Sequence, residues 1–180
     1  GCGGCTLVCP EKAISEKPRS IGEIRKAEVL NLNFWTGHMD VGEPMSTPGI
    51  RQLKSHISGP ITILDSPPGT ACPVIETISH SDFVVLVTEP TPFGLHDLKL
   101  AVEVVRMMNL PFGVIVNRQG AGDDRVQEWC KEENIKILME IPQSQDIAIL
   151  YSEGKPFVLE MPEWKAKFQE LFNKIKEAIV

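Results

Sequence analysis

Three thiols stand close together at the start of the chain: Cys2, Cys5 and Cys9, with Pro10 directly after the last, in the spacing C-x-x-C-x-x-x-C-P. Thiolates so spaced can converge on one centre, because a short loop points successive side chains inward. In iron–sulfur runs of this type the first three cysteines hold one cluster and the fourth, followed by proline, reaches a second. By that logic Cys2 and Cys5 share a [4Fe–4S] centre with a cysteine expected upstream of Gly1, and Cys9 ligates the neighbouring cluster. Two other chemistries use C-x-x-C and stay open. Structural zinc sites do so, usually with a second C-x-x-C or a pair of His, and neither occurs nearby. Dithiol redox motifs do so at a helix start within a βαβ unit.

A second chemical candidate is the turn DSPPGT at 65–70. Residues 61–65 read as a hydrophobic strand ending in an acid, and the chain turns at once through Pro67, Pro68 and Gly69. An Asp at the carboxyl end of a parallel strand faces the crevice where open α/β sheets bind ligands. Asp65 there can hold Mg²⁺, directly or through water, and Gly69 can bring a backbone N–H to a terminal phosphate. A solvated Asp at a Pro-Gly turn is the plainer alternative.

The elements that must position these groups follow a strand–helix rhythm. Nearly continuous apolar runs at 83–88, 112–117 and 135–141, with 61–65 and a weaker run at 29–35, predict strands covered on both faces. Between them, 92–109 spaces Leu95, Leu98, Val102 and Val105 by three and four, which predicts an amphipathic crossover helix. Another helix is expected after the 120–124 turn, carrying Val126, Trp129 and Cys130, and a terminal one over 162–180. The polar side of that last helix mixes both charge signs where membrane-surface helices favour Lys and Arg, so packing against the sheet is expected. Cys72, just before Pro73, reads as partly buried at a helix start, Cys130 as core and His96 as a surface residue. The fold class is therefore α/β, with βαβ units around a parallel sheet.

Composition excludes some functions. The 180 residues are 42% hydrophobic, enough for one sizeable core and an appendage, and the formal net charge of -6 supplies no basic stripe for nucleic acid. Three of five cysteines fall within the first nine residues, unlike a secreted disulfide framework, which points to a reducing cytoplasm. No apolar run approaches the roughly 20 residues that cross a bilayer, so no stable membrane insertion is expected.

Four further segments carry a resemblance: VGEP at 41–44, ILDSPPGTACPVIE at 63–76, VTEPTPFGLHDLK at 87–99 and VIVNR at 114–118. Together, over nearly the whole chain and in the same order, they resemble the MinD/Mrp-type P-loop ATPases. The subgroup with a ferredoxin module inserted into the ATPase domain fits best, with CP-x-x-AI at 9–14 as the end of the insert. The resemblance implies that 1–28 is the remnant of that insert and 29–180 the C-terminal part of the ATPase domain. It implies a doubly wound, mostly parallel sheet of the P-loop NTPase type, ATP and Mg²⁺ binding, a [4Fe–4S] cluster, and a homodimer with nucleotide near its interface. Carried over by residue, Asp65 matches the Walker B acid that holds Mg²⁺ in catalysis, Gly69 the phosphate-sensing glycine, and Asn117 the asparagine that reads adenine. Arg118 and Pro142 match neighbours of the base pocket less specifically; a surface Arg and a turn Pro are the plainer readings. No G-x-x-x-x-G-K-[ST] loop occurs in these residues, so this chain alone is not expected to hydrolyse ATP. The parent is expected to be a nucleotide-switched iron–sulfur ATPase working on a cluster client or redox partner. The alternative is a non-enzymatic electron carrier or cluster scaffold on an ATPase-like platform.

Overall fold

The computed structural model describes residues 3–29 and 32–179, so Cys2 lies outside the described residues. The chain forms two compact units, Gly1–Ile63 and Leu64–Val180.

The first unit holds α1 (Gly4–Val8), β1 (Gly22–Val29), β2 (Leu32–Met39) and α2 (Thr47–Lys54). The run at 29–35, expected as one weak strand of the parallel sheet, is instead divided between β1 and β2, which pair as an antiparallel hairpin. β1 also runs across the 28/29 boundary drawn from the motifs. Its many charged residues, Glu23, Arg25, Lys26 and Glu28, are all exposed, which suits a ribbon better than a strand buried on both faces. One face of the hairpin is anchored by α2. Trp35 stacks on His56 with ring centroids 4.0 Å apart, and Lys26, directly across from Trp35, lies 5.5 Å from the indole centroid. Gly37 leaves the room that Leu53 fills, since a Cβ there would stand 2.9 Å from Leu53 Cδ1.

The second unit is the α/β layer expected from the strand–helix rhythm. It contains α3 (Cys72–Ile78), β3 (Val84–Thr88), α4 (Pro92–Met107), β4 (Phe112–Gln119), α5 (Arg125–Glu132) and β5 (Ile137–Pro142). Then come α6 (Gln145–Ser152), α7 (Phe157–Glu160) and α8 (Pro162–Ile179). The three strands are parallel in the order β3-β4-β5. Central β4 shows why the sheet is covered on both faces. Val114 and Val116 are fully buried with Leu98 and Val102 of α4 and Val126 and Cys130 of α5. Between them Ile115 joins Leu138 and Leu171 in a second cluster, which Phe168 and Ile175 of α8 complete. The terminal helix thus packs on the sheet, and among the described residues no helix is long and apolar enough to cross a membrane.

Two further expectations fail. Residues 61–65 form no strand, with Ile61 60% and Ile63 89% exposed. A strand exists only where a neighbour satisfies its N–H and C=O groups, and no described strand pairs with this segment. Cys72 is exposed rather than partly buried, because α3 buries only Thr77 and Ile78 at its far end.

Leu138, 2% exposed beneath α8, should be the most sensitive position on that face. Leu138→Ala is expected to cost about 2–5 kcal/mol, read as a lower urea midpoint with an unchanged slope. A loss under about 0.5 kcal/mol would mean that α8 does not seal this face.

Candidate functional site

Parallel strands bring their carboxyl ends to one edge, and there the loops after β3 and β4 are locked together. After Thr88 the chain turns through Glu89, Pro90 and Thr91 into α4. The Thr91 amide donates to the Glu89 carbonyl at 2.8 Å, and the Gly94 amide donates to the Thr91 hydroxyl at 3.0 Å, capping the helix. The Thr88 hydroxyl donates to the Gly94 carbonyl at 2.9 Å. Two glycines make this possible. A Cβ on Gly94 would stand 2.3 Å from the Glu89 carbonyl oxygen, and one on Gly122 only 1.6 Å from the Pro90 carbonyl oxygen. Only glycine fits at either position, so the turn after β3 is held between the first turn of α4 and the loop after β4.

β4 delivers its own groups to this edge. Asn117 is half-buried, and Arg118 adopts the left-handed conformation at φ +55°, a cost of about 1–2 kcal/mol for a residue with a Cβ. The Arg118 guanidinium reaches back to Glu89, with Nη1 3.4 Å from Oε2. Both side chains are about half exposed, so the pair contributes orientation more than stability. One strand further, Pro142 stands opposite Gln119 in the register, and the Gln143 amide donates to the Gln119 carbonyl at 2.9 Å. The structure therefore brings Asn117, Arg118 and Pro142 to adjacent strand ends.

An open crevice of about 400 Å³ lies at this edge, lined by Thr88, Glu89, Thr91, Phe93, Asp97 and Asn117 among others. Its size suits a small molecule. Among its lining residues are two carboxylates, two threonines and one amide but no Lys or Arg. Such a lining favours a neutral ligand edge with amino donors and disfavours phosphate. Asp65 and Gly69 do not line it. Both are exposed, and Gly69 sits at φ +98°, where its role is to permit the turn.

The sequence missed Glu89, Thr91 and Phe93. For Phe93 a signal existed: it falls two residues before Leu95, out of phase with the buried stripe of α4, and two-residue neighbours on a helix do not share a face.

The cysteines form a separate candidate in the first unit. Cys5 is exposed on α1, and Cys9 caps that helix, half-buried. The backbone N–H of Ala13 acts most strongly on the Cys9 thiol, followed by those of Glu11, Ile14 and Lys12. They hold its thiol below the usual range against the opposing effect of desolvation. Such a nest of amides favours a thiolate and suits a cluster ligand. Yet among the described residues no three of His, Cys, Asp and Glu converge to hold a metal ion. A [4Fe–4S] centre therefore needs ligands beyond those described, Cys2 included. Cys130, fully buried, has its thiol pushed up to about 11 by desolvation and is a core residue.

No family model matches the chain. An uncharacterized protein of Methanocaldococcus jannaschii is 30% identical over 179 residues, covering 98% of this chain and 60% of the relative. The iron–sulfur cluster carrier protein of Aquifex aeolicus is 30% identical over 116 residues, 56% of this chain and 32% of that protein. Among solved structures, the cell division ATPase MinD of Pyrococcus furiosus superposes with a TM-score of 0.52 at 25% identity, over 63% of this chain and 50% of MinD. The chain spans between about a third and three fifths of the length of these relatives.

The amide nest and the buried thiol make opposite predictions for alkylation. With its ionisation lowered, Cys9 keeps thiolate character to lower pH, so its iodoacetamide labelling, followed by mass spectrometry, should reach half its maximal rate below the pH of an ordinary free thiol. Cys130 should remain unlabelled until the protein unfolds. A Cys9 midpoint at or above that of free cysteine would contradict the nest.

Proposed function

We propose that this chain, which belongs to the MinD/Mrp superfamily of P-loop ATPases, supplies the base-reading half of an ATP site in an iron–sulfur protein. The observation that carries this reading is Asn117 at the carboxyl end of a buried parallel strand, lining an open crevice together with Glu89, which Arg118 faces at 3.4 Å. A side-chain amide donates and accepts at once, which matches the edge of adenine. Arg118 and Pro142 border the base, and Asp97 and Glu89 offer acceptors for an exocyclic amino group. Phosphate must then be held elsewhere, by a glycine-rich G-x-x-x-x-G-K-[ST] loop contributed from sequence upstream of this chain. Without that loop these residues bind the base without hydrolysing ATP.

In the parent protein Asp65 holds the Mg²⁺ that bridges the phosphates, directly or through water, and Gly69 responds to the terminal phosphate. Both lie on an exposed turn with a left-handed glycine, which suits a segment that rearranges around a nucleotide. Cys5 and Cys9, with Cys2 and upstream thiolates, hold a [4Fe–4S] cluster in a ferredoxin-like insert, for which the amide nest at Cys9 is the support. Nucleotide state then governs a homodimer, and through it cluster delivery to a client or electron transfer to a redox partner in the cytoplasm. A second reading, a cluster scaffold or electron carrier with no ATPase step, is favoured by the contrast between a formed Cys9 nest and an Asp65 turn that stands outside any strand.

Single-turnover ATP hydrolysis by the full-length protein separates the two. Asp65→Asn should lower the rate about a hundredfold or more, as loss of a charge-stabilising group at a phosphoryl site does. No hydrolysis by the wild-type protein with its cluster loaded would leave the scaffold reading, and unchanged hydrolysis in the variant would overturn the role given to Asp65. In this chain, Asn117→Ala should weaken adenosine binding about five- to tenfold, measured by NMR titration, as loss of a paired amide does.

A further inference from the structure

β5 is an outer strand of the parallel sheet: β4 pairs with one of its edges, and among the described residues no strand pairs with the other. A second crevice, of about 410 Å³, runs along that open edge. It is lined by Ile137, Leu138, Met139 and Glu140 of β5, by Gln127 of α5 and by Lys174 of α8. The two helices cover opposite faces of the sheet. Ile137 packs against the cluster of α4 and α5, and Leu138 and Met139 against that of α8. A space that touches both helices and both faces of the strand lies at the strand's free edge.

The groups in this crevice call for hydrogen-bond donors and a cation. The register steps from Val114 opposite Ile137 to Ile115 opposite Met139, so Leu138 has no counterpart on β4. Its carbonyl accepts instead from Lys174 Nζ at 3.2 Å, an amine standing where a neighbouring strand would place an amide. Gln127 donates from Nε2 to Glu140 Oε1 at 2.9 Å, which leaves its own Oε1 screened from solvent and without a hydrogen-bond partner. Glu140 is exposed and forms no ion pair among the described residues.

We propose that this edge is a docking strand for a partner protein, taking an extended segment that carries Lys or Arg. The segment adds to β5: its amides serve the open edge and Gln127 Oε1, and its cation meets Glu140. Lys174 guards the edge, since an amine on one carbonyl blunts unselected pairing, while Glu140 favours a basic strand. The chain's net charge of -6 steers the same kind of segment toward it. A second β5 would bring another acid, with its Lys174 already paired to Glu170 at 2.8 Å, so the complement is a foreign strand.

The test uses the isotopically labelled 180-residue chain and a capped heptapeptide of alternating Thr and Val with Lys at its centre. Amide shifts at 137–140 and at Gln127 should saturate at millimolar peptide. Glu140→Gln should weaken binding about two- to fivefold, the size of an exposed ion pair, and so should a peptide with Glu in place of its Lys. Gln127→Leu should weaken it about five- to tenfold yet leave the melting temperature of the free chain unchanged or higher, because the acceptor it removes has no partner until peptide arrives. A fall in that temperature would make Gln127 a structural residue and remove it from the site. N-methylation of one alternating set of peptide amides should abolish binding, and of the other set leave it, since only one side of the added strand faces β5. No saturable shift along β5, or equal binding by both methylated peptides, overturns the proposal. Concentration-dependent dimerisation of the chain alone, with protection of the β5 amides, would assign the edge to a second copy and overturn it as well.

Discussion

The carbonyl oxygen of Pro90 occupies the place where any side chain on residue 122 would have to be. That approach, with the matching one between Gly94 and the Glu89 carbonyl, joins the loop after β3 to the loop after β4. Everything at the strand ends depends on it. The turn carrying Glu89 and Thr91 is held against the first turn of α4 and the loop after β4. The valines beneath them act as the foundation: Val102, Val114, Val116 and Val126 are buried almost completely, so the strand ends rest on a packed layer.

This arrangement assigns different tasks to different parts of the chain. The second unit offers a rigid crevice suited to a neutral polar ring. The exposed turn at Asp65 and Gly69 offers an acid and a left-handed glycine, which the proposed function assigns to metal and phosphate. The first unit offers one thiol in a nest of amides. In the function proposed above, rigid reading of the base, conditional engagement of phosphate and thiolate chemistry are separable tasks.

Much of this was legible in the residues. The runs at 83–88, 112–117 and 135–141 became β3, β4 and β5 within a residue or two, because each is apolar on both faces and that pattern fits only a covered strand. The stripe Leu98, Val102 and Val105 likewise fixed the buried face of α4. The segment at 61–65 misled for a physical reason: its apolar pattern states what it can bury, whereas being a strand requires a neighbour that the described residues do not supply. The hairpin was obscured because its charged strand carries little periodicity. Phe93 and Glu89 were obscured because their importance lies in tertiary placement, set by two glycines that meet carbonyls distant in sequence from Gly122 or hidden within a helix turn at Gly94.

The central claim is that the carboxyl edge of β3 and β4 binds an adenine ring. Mapping backbone amide shifts of the isotopically labelled chain during an adenosine titration tests it most directly. The account predicts saturable shifts concentrated at Thr88 to Gly94 and at Asn117 to Gly120, with the Asp65 turn unmoved until phosphates and Mg²⁺ are present. Shifts spread over the hairpin or α8, or none along the strand ends at millimolar adenosine, would contradict it.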